Sequence, residues 1–155
     1  SHVSKDFIDA HNEIKYVINQ REITEAKLRL HLGETGTALD LFSKIITKHR
    51  KNKIPAILYF GLTAAQYNNS EEEKALKTLE NAVLSTQIEK IPLLSLQSSA
   101  HLYAFNFFLA NNQEANNWID YLHKINCPQS TKELFIKHAQ LYAERCEQAG
   151  RLLVW

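Results

Sequence analysis

The sequence predicts an all-α fold of about three helical hairpins with a flanking helix at each end. Apolar residues recur at helical spacing through most of the chain, and polar segments of equal length interrupt them at similar intervals. With only four Gly and three Pro in 155 residues, the chain has too few turn residues for a β-rich fold. At this length the chain is one domain.

The clearest hairpin lies between Ile54 and Gln87. Pro55 is predicted at the first helical position, where its missing donor costs nothing. The apolar periodicity ends at Tyr67, and two asparagines follow. Ser70 with Glu73 has the form of a capping box, which predicts the start of a second helix. A helix, a tight turn and a second helix make an αα-hairpin.

The same pattern occurs on both sides of this hairpin. The second helices align with Ala38, Ala75 and Ala115 in register, at distances of 37 and 40 residues. The positions predicted to pack the repeats together are Ala38, Phe42, Ala75, Leu79, Ala115 and Ile119. Repetition at such a period indicates stacked helical hairpins.

The second-helix pattern, Ala-x-x-x-Phe/Leu/Ile-x-x-Ile/Ala/Leu, resembles that of the tetratricopeptide repeats, and the resemblance extends from Ile23 to Ile125. It implies a right-handed solenoid that binds protein segments and catalyses no reaction. The sequence departs from the family in having no Trp at the start of a repeat. It also has Tyr103 where the family has a small residue.

Further helices are predicted outside the repeats. An amphipathic helix is expected from Lys5 to Asn19, and a capping box at Ser130 and Glu133 predicts another that runs to Gln148. Residues 1–3, Ser-His-Val, are interpreted as a cloning remnant. Because the whole chain lacks Met, we interpret residues 4–155 as one domain of a longer protein.

Composition and motifs exclude several functions. A net charge of +1 does not favour binding to nucleic acid, and no apolar run is long enough to span a membrane. Neither the seven His nor Cys127 and Cys146 have the spacing of a metal site, and no phosphate-binding or nucleophile motif occurs. We therefore expect no catalytic residue, metal or cofactor. The compartment is left open between cytoplasm and periplasm.

Two groups of residues are candidates for binding a partner. Most rings of the aromatic-rich segments are expected in the core, and an exposed remainder would contact a partner protein or peptide. The candidate partner-binding residues are Tyr59, Tyr103, Phe107 and Trp155. The basic cluster is Lys44, Lys48, Arg50, Lys51 and Lys53. The cluster lies at the end of a predicted helix, where the helix dipole favours cations. The alternative is that these residues bind an acidic peptide or a phosphate.

The last residues of the chain are unusually apolar. Leu152, Leu153, Val154 and Trp155 follow one another, and burying such side chains is worth about 1.5–3 kcal/mol each. We expect this segment to cover its own last hairpin or to dock on a second copy and form a homodimer.

The predicted function is a non-catalytic protein–protein interaction scaffold. One alternative is the C-terminal repeat scaffold of a larger enzyme, such as a bacterial zinc metalloprotease. The other is a homodimerising regulatory helical domain.

Overall fold

The computed structural model describes residues 20–49 and 53–155, and these residues form seven helices and no strand. The all-α class predicted from the sequence is therefore confirmed. The helix predicted from Lys5 to Asn19, and the basic residues Arg50 and Lys51, lie outside the described residues. The helices are α1 over residues 20–31, α2 Thr35–His49, α3 Ala56–Asn68, α4 Glu72–Gln87, α5 Pro92–Phe108, α6 Asn112–His123 and α7 Gln129–Ala149.

Most neighbouring helices in the chain also pack against each other. Helix α2 packs on α3, α3 on α4, and α5 on both α6 and α7. The contact between α2 and α3 depends on Gly61, because a Cβ atom placed there would lie 2.3 Å from Cε1 of Phe42. Phe42 itself is 1% exposed. A glycine in the middle of α3 thus lets the ring of Phe42 lie against the helix backbone.

Four helices end in the same kind of turn. Residues Gly33, Ser70, Ala110 and Gly150 follow α1, α3, α5 and α7, and their φ angles are 78°, 61°, 61° and 67°. After each of them the next amide donates a hydrogen bond to the carbonyl five residues back, with N–O distances of 2.8–3.2 Å. This is the Schellman arrangement. The four positions are 37, 40 and 40 residues apart, so each hairpin turn is a copy of one structure.

Both predicted capping boxes are wrong. Ser70 is the left-handed residue of the turn after α3, and the N-cap of α4 is Glu71, with no side-chain cap. Ser130 lies inside α7, whose N-cap is Pro128. Pro55 precedes α3 as its N-cap, one residue before the predicted position. A side-chain cap does occur at α6, where Asn111 accepts a hydrogen bond from the amide of Glu114 at 3.4 Å.

The predicted repeat-packing residues lie in the core, with one exception. Ala38, Phe42, Ala75, Leu79 and Ala115 are all buried, whereas the side chain of Ile119 is half-buried at the edge of the core. A small residue at each alanine position lets neighbouring helices approach closely.

Candidate functional site

The main candidate site within residues 20–49 and 53–155 is a groove, and residues 151–155 of the same chain fill it. Residues 151–155 follow the turn at Gly150 without forming a helix, and they run past α1, α3, α5 and α7. We call these five residues the tail, and the space that they fill the tail groove. Leu152 is 0% exposed, and the next three residues are half-buried.

The groove holds the backbone of the tail through side chains from other parts of the fold. The amide of Asn68, the last residue of α3, donates to the carbonyl of Leu152 at 2.7 Å, and its oxygen accepts from the Leu152 amide at 2.9 Å. The hydroxyl of Tyr142 donates to the carbonyl of Leu153 at 2.5 Å. The Sγ atom of Cys146 accepts from the Leu153 amide at 3.4 Å. Two consecutive residues of the tail are thus bound at both backbone groups.

The two ends of the tail make different contacts. The guanidinium of Arg151 donates to the carbonyl of Leu30 near the end of α1, at 3.4 Å, where the helix dipole favours a cation. The ring of Trp155 lies over His101, with centroids 4.3 Å apart, and packs against Tyr142 at 5.0 Å. The tail therefore connects the first helix described in the structure to the last.

A small pocket remains beneath the tail. The cavity volume is about 20 Å³, enough for one or two water molecules. Side chains of the tail and of helices α1, α2, α3 and α5 line it, among them Lys27, Phe42, Phe60, His101, Val154 and Trp155. With the tail in place, the groove has no room for a second ligand.

His101 has an unusual environment in this pocket. It is 3% exposed, and neither ring nitrogen has a hydrogen-bond partner among the described residues. Phe60 stacks on its imidazole with centroids 4.2 Å apart and parallel planes, and Trp155 packs on it as well. Burial lowers its pKa well below the ordinary value, and the positive charge of Lys27 lowers it further. The imidazole is therefore neutral at pH 7.

Burial also shifts the pKa values of the two titratable groups on α7 that bind the tail. It raises the pKa of the Tyr142 hydroxyl well above its ordinary value and raises the pKa of the Cys146 thiol. A thiol that is 0% exposed with a raised pKa is a poor nucleophile, so Cys146 has a packing role under the tail. Cys127 is half-buried and lies outside the groove lining.

The structure separates the predicted partner-binding residues. Trp155 lies in the tail groove, whereas Tyr59, Tyr103 and Phe107 do not line its pocket. Tyr103 is 8% exposed and pairs with Phe107, which is 37% exposed, at a centroid distance of 6.0 Å. Tyr59 is half-buried beside the core.

The described part of the basic cluster is accounted for largely by structural contacts. Lys48 pairs with Glu22 of α1 at 3.2 Å, and Lys53 donates to the carbonyl of Ile88 at 3.4 Å. Lys44 is exposed on α2. Within residues 20–49 and 53–155, His, Cys, Asp and Glu form no group that could hold a metal ion, and no described helix is long and apolar enough to span a membrane.

Sequence reasoning identified the tail but not the residues that bind it. No pattern in the sequence assigned Asn68 or His101 a role in binding the tail. Asn68 and Leu152 are 84 positions apart, and no local pattern relates them. The sequence contained one signal for this site: the four consecutive apolar residues 152–155, which need an apolar surface to cover them.

Comparisons of the chain with protein-family models, with curated proteins and with solved structures find no match.

Proposed function

We propose that this domain is a non-catalytic scaffold whose tail groove holds an extended apolar segment of a partner protein. One observation carries the proposal: an extended segment, the tail, already occupies the groove and is bound as a peptide ligand would be. Its backbone is held by Asn68, Tyr142 and Cys146, and Leu152 is completely buried.

The chemistry of the groove suits a peptide. Asn68 binds the N–H and the C=O of one residue, which any residue other than proline offers, so this contact fixes the register of a segment rather than its sequence. Each such hydrogen bond contributes about 0.5–1.5 kcal/mol. Burial of an aliphatic side chain at the position of Leu152 supplies both affinity and selectivity.

The proposed architecture is a right-handed solenoid of about three tetratricopeptide-like hairpins with flanking helices. The four equivalent turns after α1, α3, α5 and α7 support it, since they give these helices the same place in successive hairpins. The tail begins where the second helix of a fourth hairpin would start. In this arrangement the groove lies along the first helices of the hairpins.

The proposal includes no reaction because His101 lacks the partners that a catalytic imidazole needs. A general base is oriented by one hydrogen bond and acts through another. Both nitrogens of His101 are buried without a partner, and the residues around the ring are Phe60, Phe105, Tyr142 and Trp155.

A peptide-binding experiment tests the proposed function. A fluorescein-labelled peptide with the sequence of the tail, Arg-Leu-Leu-Val-Trp, is titrated with a Trp155→Ala chain, in which the tail has lost its stacking contact with His101. Because a tethered segment has an effective concentration on the order of 1 mM, a tail that stays docked implies a Kd below about 1 mM for the free peptide. We expect the anisotropy to rise and saturate in this range, and to rise less with the unchanged chain.

The matched control is the same peptide with Asp in place of its first Leu, which corresponds to Leu152. It should not bind, because a carboxylate cannot enter the fully buried site without a partner. If the unaltered peptide does not bind either Trp155→Ala or Leu152→Ala at 1 mM, while circular dichroism shows both variants folded, the proposed function is wrong.

A homodimer is the second candidate because it uses the same contacts. The tail of one copy would then fill the groove of another, with Asn68 and Tyr142 binding Leu152 and Leu153 as they do within one chain. Light scattering of the unchanged chain over a 100-fold range of concentration separates the two candidates. A mass that doubles with concentration, and does not double for Trp155→Ala, would favour exchange of tails.

A further inference from the structure

The tail leaves one polar group of its groove unsatisfied. Neither ring nitrogen of His101 has a hydrogen-bond partner among the described residues, and His101, Val154 and Lys27 all line the pocket. Leaving a buried polar group unpaired is costly, and native proteins have few such groups. The tail supplies no hydrogen-bond partner for His101.

The charges around the pocket indicate what would satisfy His101. Its lining contains the cation Lys27 and no acidic residue, and the remaining lining side chains are apolar. An imidazole and an ammonium group that line one pocket can both donate to a carboxylate placed between them, and a charge-assisted hydrogen bond is stronger than a neutral one. Lys27 is half-buried and lines the same pocket.

The register of the occupant is fixed by the backbone contacts. Asn68 binds the residue at the position of Leu152, and Tyr142 and Cys146 bind the next residue. The position of Val154 is therefore the first one whose backbone these three side chains do not hold, and its side chain lines the pocket with His101 and Lys27.

We propose that the partner of the tail groove is an extended apolar segment with a Glu or Asp side chain at the position of Val154, where its carboxylate binds His101 and Lys27 and allows it to displace the tail. This inference rests on the proposed function and adds the chemical class of the ligand. The tail then acts as a built-in competitor that keeps the apolar groove covered until such a segment arrives.

The depressed pKa of His101 agrees with this assignment. With the tail in place, burial and Lys27 keep the ring neutral. A carboxylate next to the ring raises an imidazole pKa, so the acidic segment should bind with uptake of a proton near neutral pH. Tyr142 on α7 also faces the ring, and burial keeps its hydroxyl protonated.

Two labelled peptides test the proposal in the Trp155→Ala chain. They are Arg-Leu-Leu-Glu-Trp and Arg-Leu-Leu-Gln-Trp, which have the same shape and differ in charge. We expect the Glu peptide to bind about 5- to 13-fold more tightly, the range that separates a charge-assisted hydrogen bond from the neutral one that Gln can make. Lowering the pH from 8 to 6 should tighten the binding of the Glu peptide and leave that of the Gln peptide unchanged.

Substitutions of the two protein groups locate the effect. His101→Phe keeps an aromatic ring between Phe60 and the tail position but has no nitrogen. It should reduce the preference for Glu to the part that Lys27 supplies, remove the dependence of that preference on pH, and retain the binding of the Gln peptide. Lys27→Gln should reduce the preference. A peptide with Glu at its first position, in place of Arg, serves as a control for charge alone, and its affinity should not respond to His101→Phe.

The outcomes separate the two proposals. Equal affinities of the Glu and Gln peptides, or a preference that still changes with pH in His101→Phe, would overturn the carboxylate site and leave the peptide groove intact. Failure of both peptides to bind a folded Trp155→Ala chain would overturn both. If His101→Phe does not fold, the pH dependence with unaltered His101 decides: a Glu preference that does not change between pH 8 and 6 rejects the site.

Discussion

Loosening the tail should expose a thiol that the tail now covers. Sγ of Cys146 accepts a hydrogen bond from the amide of Leu153, and the side chain is 0% exposed. Truncating Leu152 to Ala removes the most deeply buried side chain of the tail, while the hydrogen bonds to its backbone can still form. The reaction of Cys146 with a thiol reagent therefore reports the open groove.

The expected increase in the reaction rate of Cys146 follows from the burial of Leu152. Replacing a fully buried Leu by Ala costs about 2–5 kcal/mol. If the tail opens and closes faster than the thiol reacts, the reaction rate follows the population of the open form. The rate at Cys146 should then rise roughly 30- to 5,000-fold, up to the rate of a freely exposed thiol.

The assay follows the absorbance of an aromatic disulfide reagent at pH 8 in a Cys127→Ser background, so that Cys146 is the sole thiol. Leu134→Ala is the matched control, because Leu134 lies on the same helix but is 55% exposed. It should leave the rate at Cys146 unchanged. Far-UV circular dichroism should show the same helix content in all three proteins.

Two results would refute the reasoning. An unchanged rate in Leu152→Ala would mean that the tail does not control access to Cys146. Loss of helical signal in Leu152→Ala would mean that the tail is an integral part of the fold and not a displaceable occupant of a groove.

Three further predictions concern the scaffold itself. Gly61→Ala should destabilise the protein by about 1–3 kcal/mol, since its Cβ would lie 2.3 Å from Cε1 of Phe42. Gly36→Ala places no atom within 4 Å of the new Cβ, so it should be neutral or stabilising by up to about 1 kcal/mol. Equal free energies of unfolding for Gly61→Ala and Gly36→Ala in urea would contradict the close contact between Gly61 and Phe42. Ala110→Gly should stabilise by up to about 1 kcal/mol, because φ of 61° strains an L-residue more than the added freedom of Gly costs, and a lower melting temperature would count against the turn. His101 should make stability depend on pH: the unfolded imidazole binds a proton below about pH 6.5 and the folded one does not, so the free energy of unfolding should fall as pH falls below 6.5. His101→Phe should flatten this part of the profile of urea midpoints, and a profile identical to that of the unchanged chain would refute the role of His101.

The helices and their core faces could be predicted because local spacing determines them. Ala38, Ala75 and Ala115 are buried at equivalent positions, as the recurrence of a small residue in each copy indicated. Hydrophobic periodicity depends on residues that are close together in the sequence, so it can be recognised without knowing how the rest of the chain packs.

The helix boundaries were less accurate because two local motifs compete for the same residues. Ser70 could cap α4 or complete the turn after α3, and the structure uses it in the turn. The Schellman hydrogen bonds satisfy two carbonyls at the end of α3, and they leave Ser70 with a left-handed backbone that cannot act as an N-cap. The sequence alone is compatible with Ser70 in either role, as the cap of α4 or as part of the turn after α3.

The sequence by itself determined that this chain is helical and that its last four residues need an apolar surface, and it predicted hairpins that repeat. Only the tertiary structure decided where that surface lies. The tail could have covered the outer end of the last hairpin, and instead it runs through a groove that reaches from α1 to α7. Its contacts join Arg151 to Leu30 and Leu152 to Asn68, at separations of 121 and 84 residues. Helix and turn patterns arise from interactions over about five residues, whereas a groove is formed by helices that meet only after the whole chain has packed.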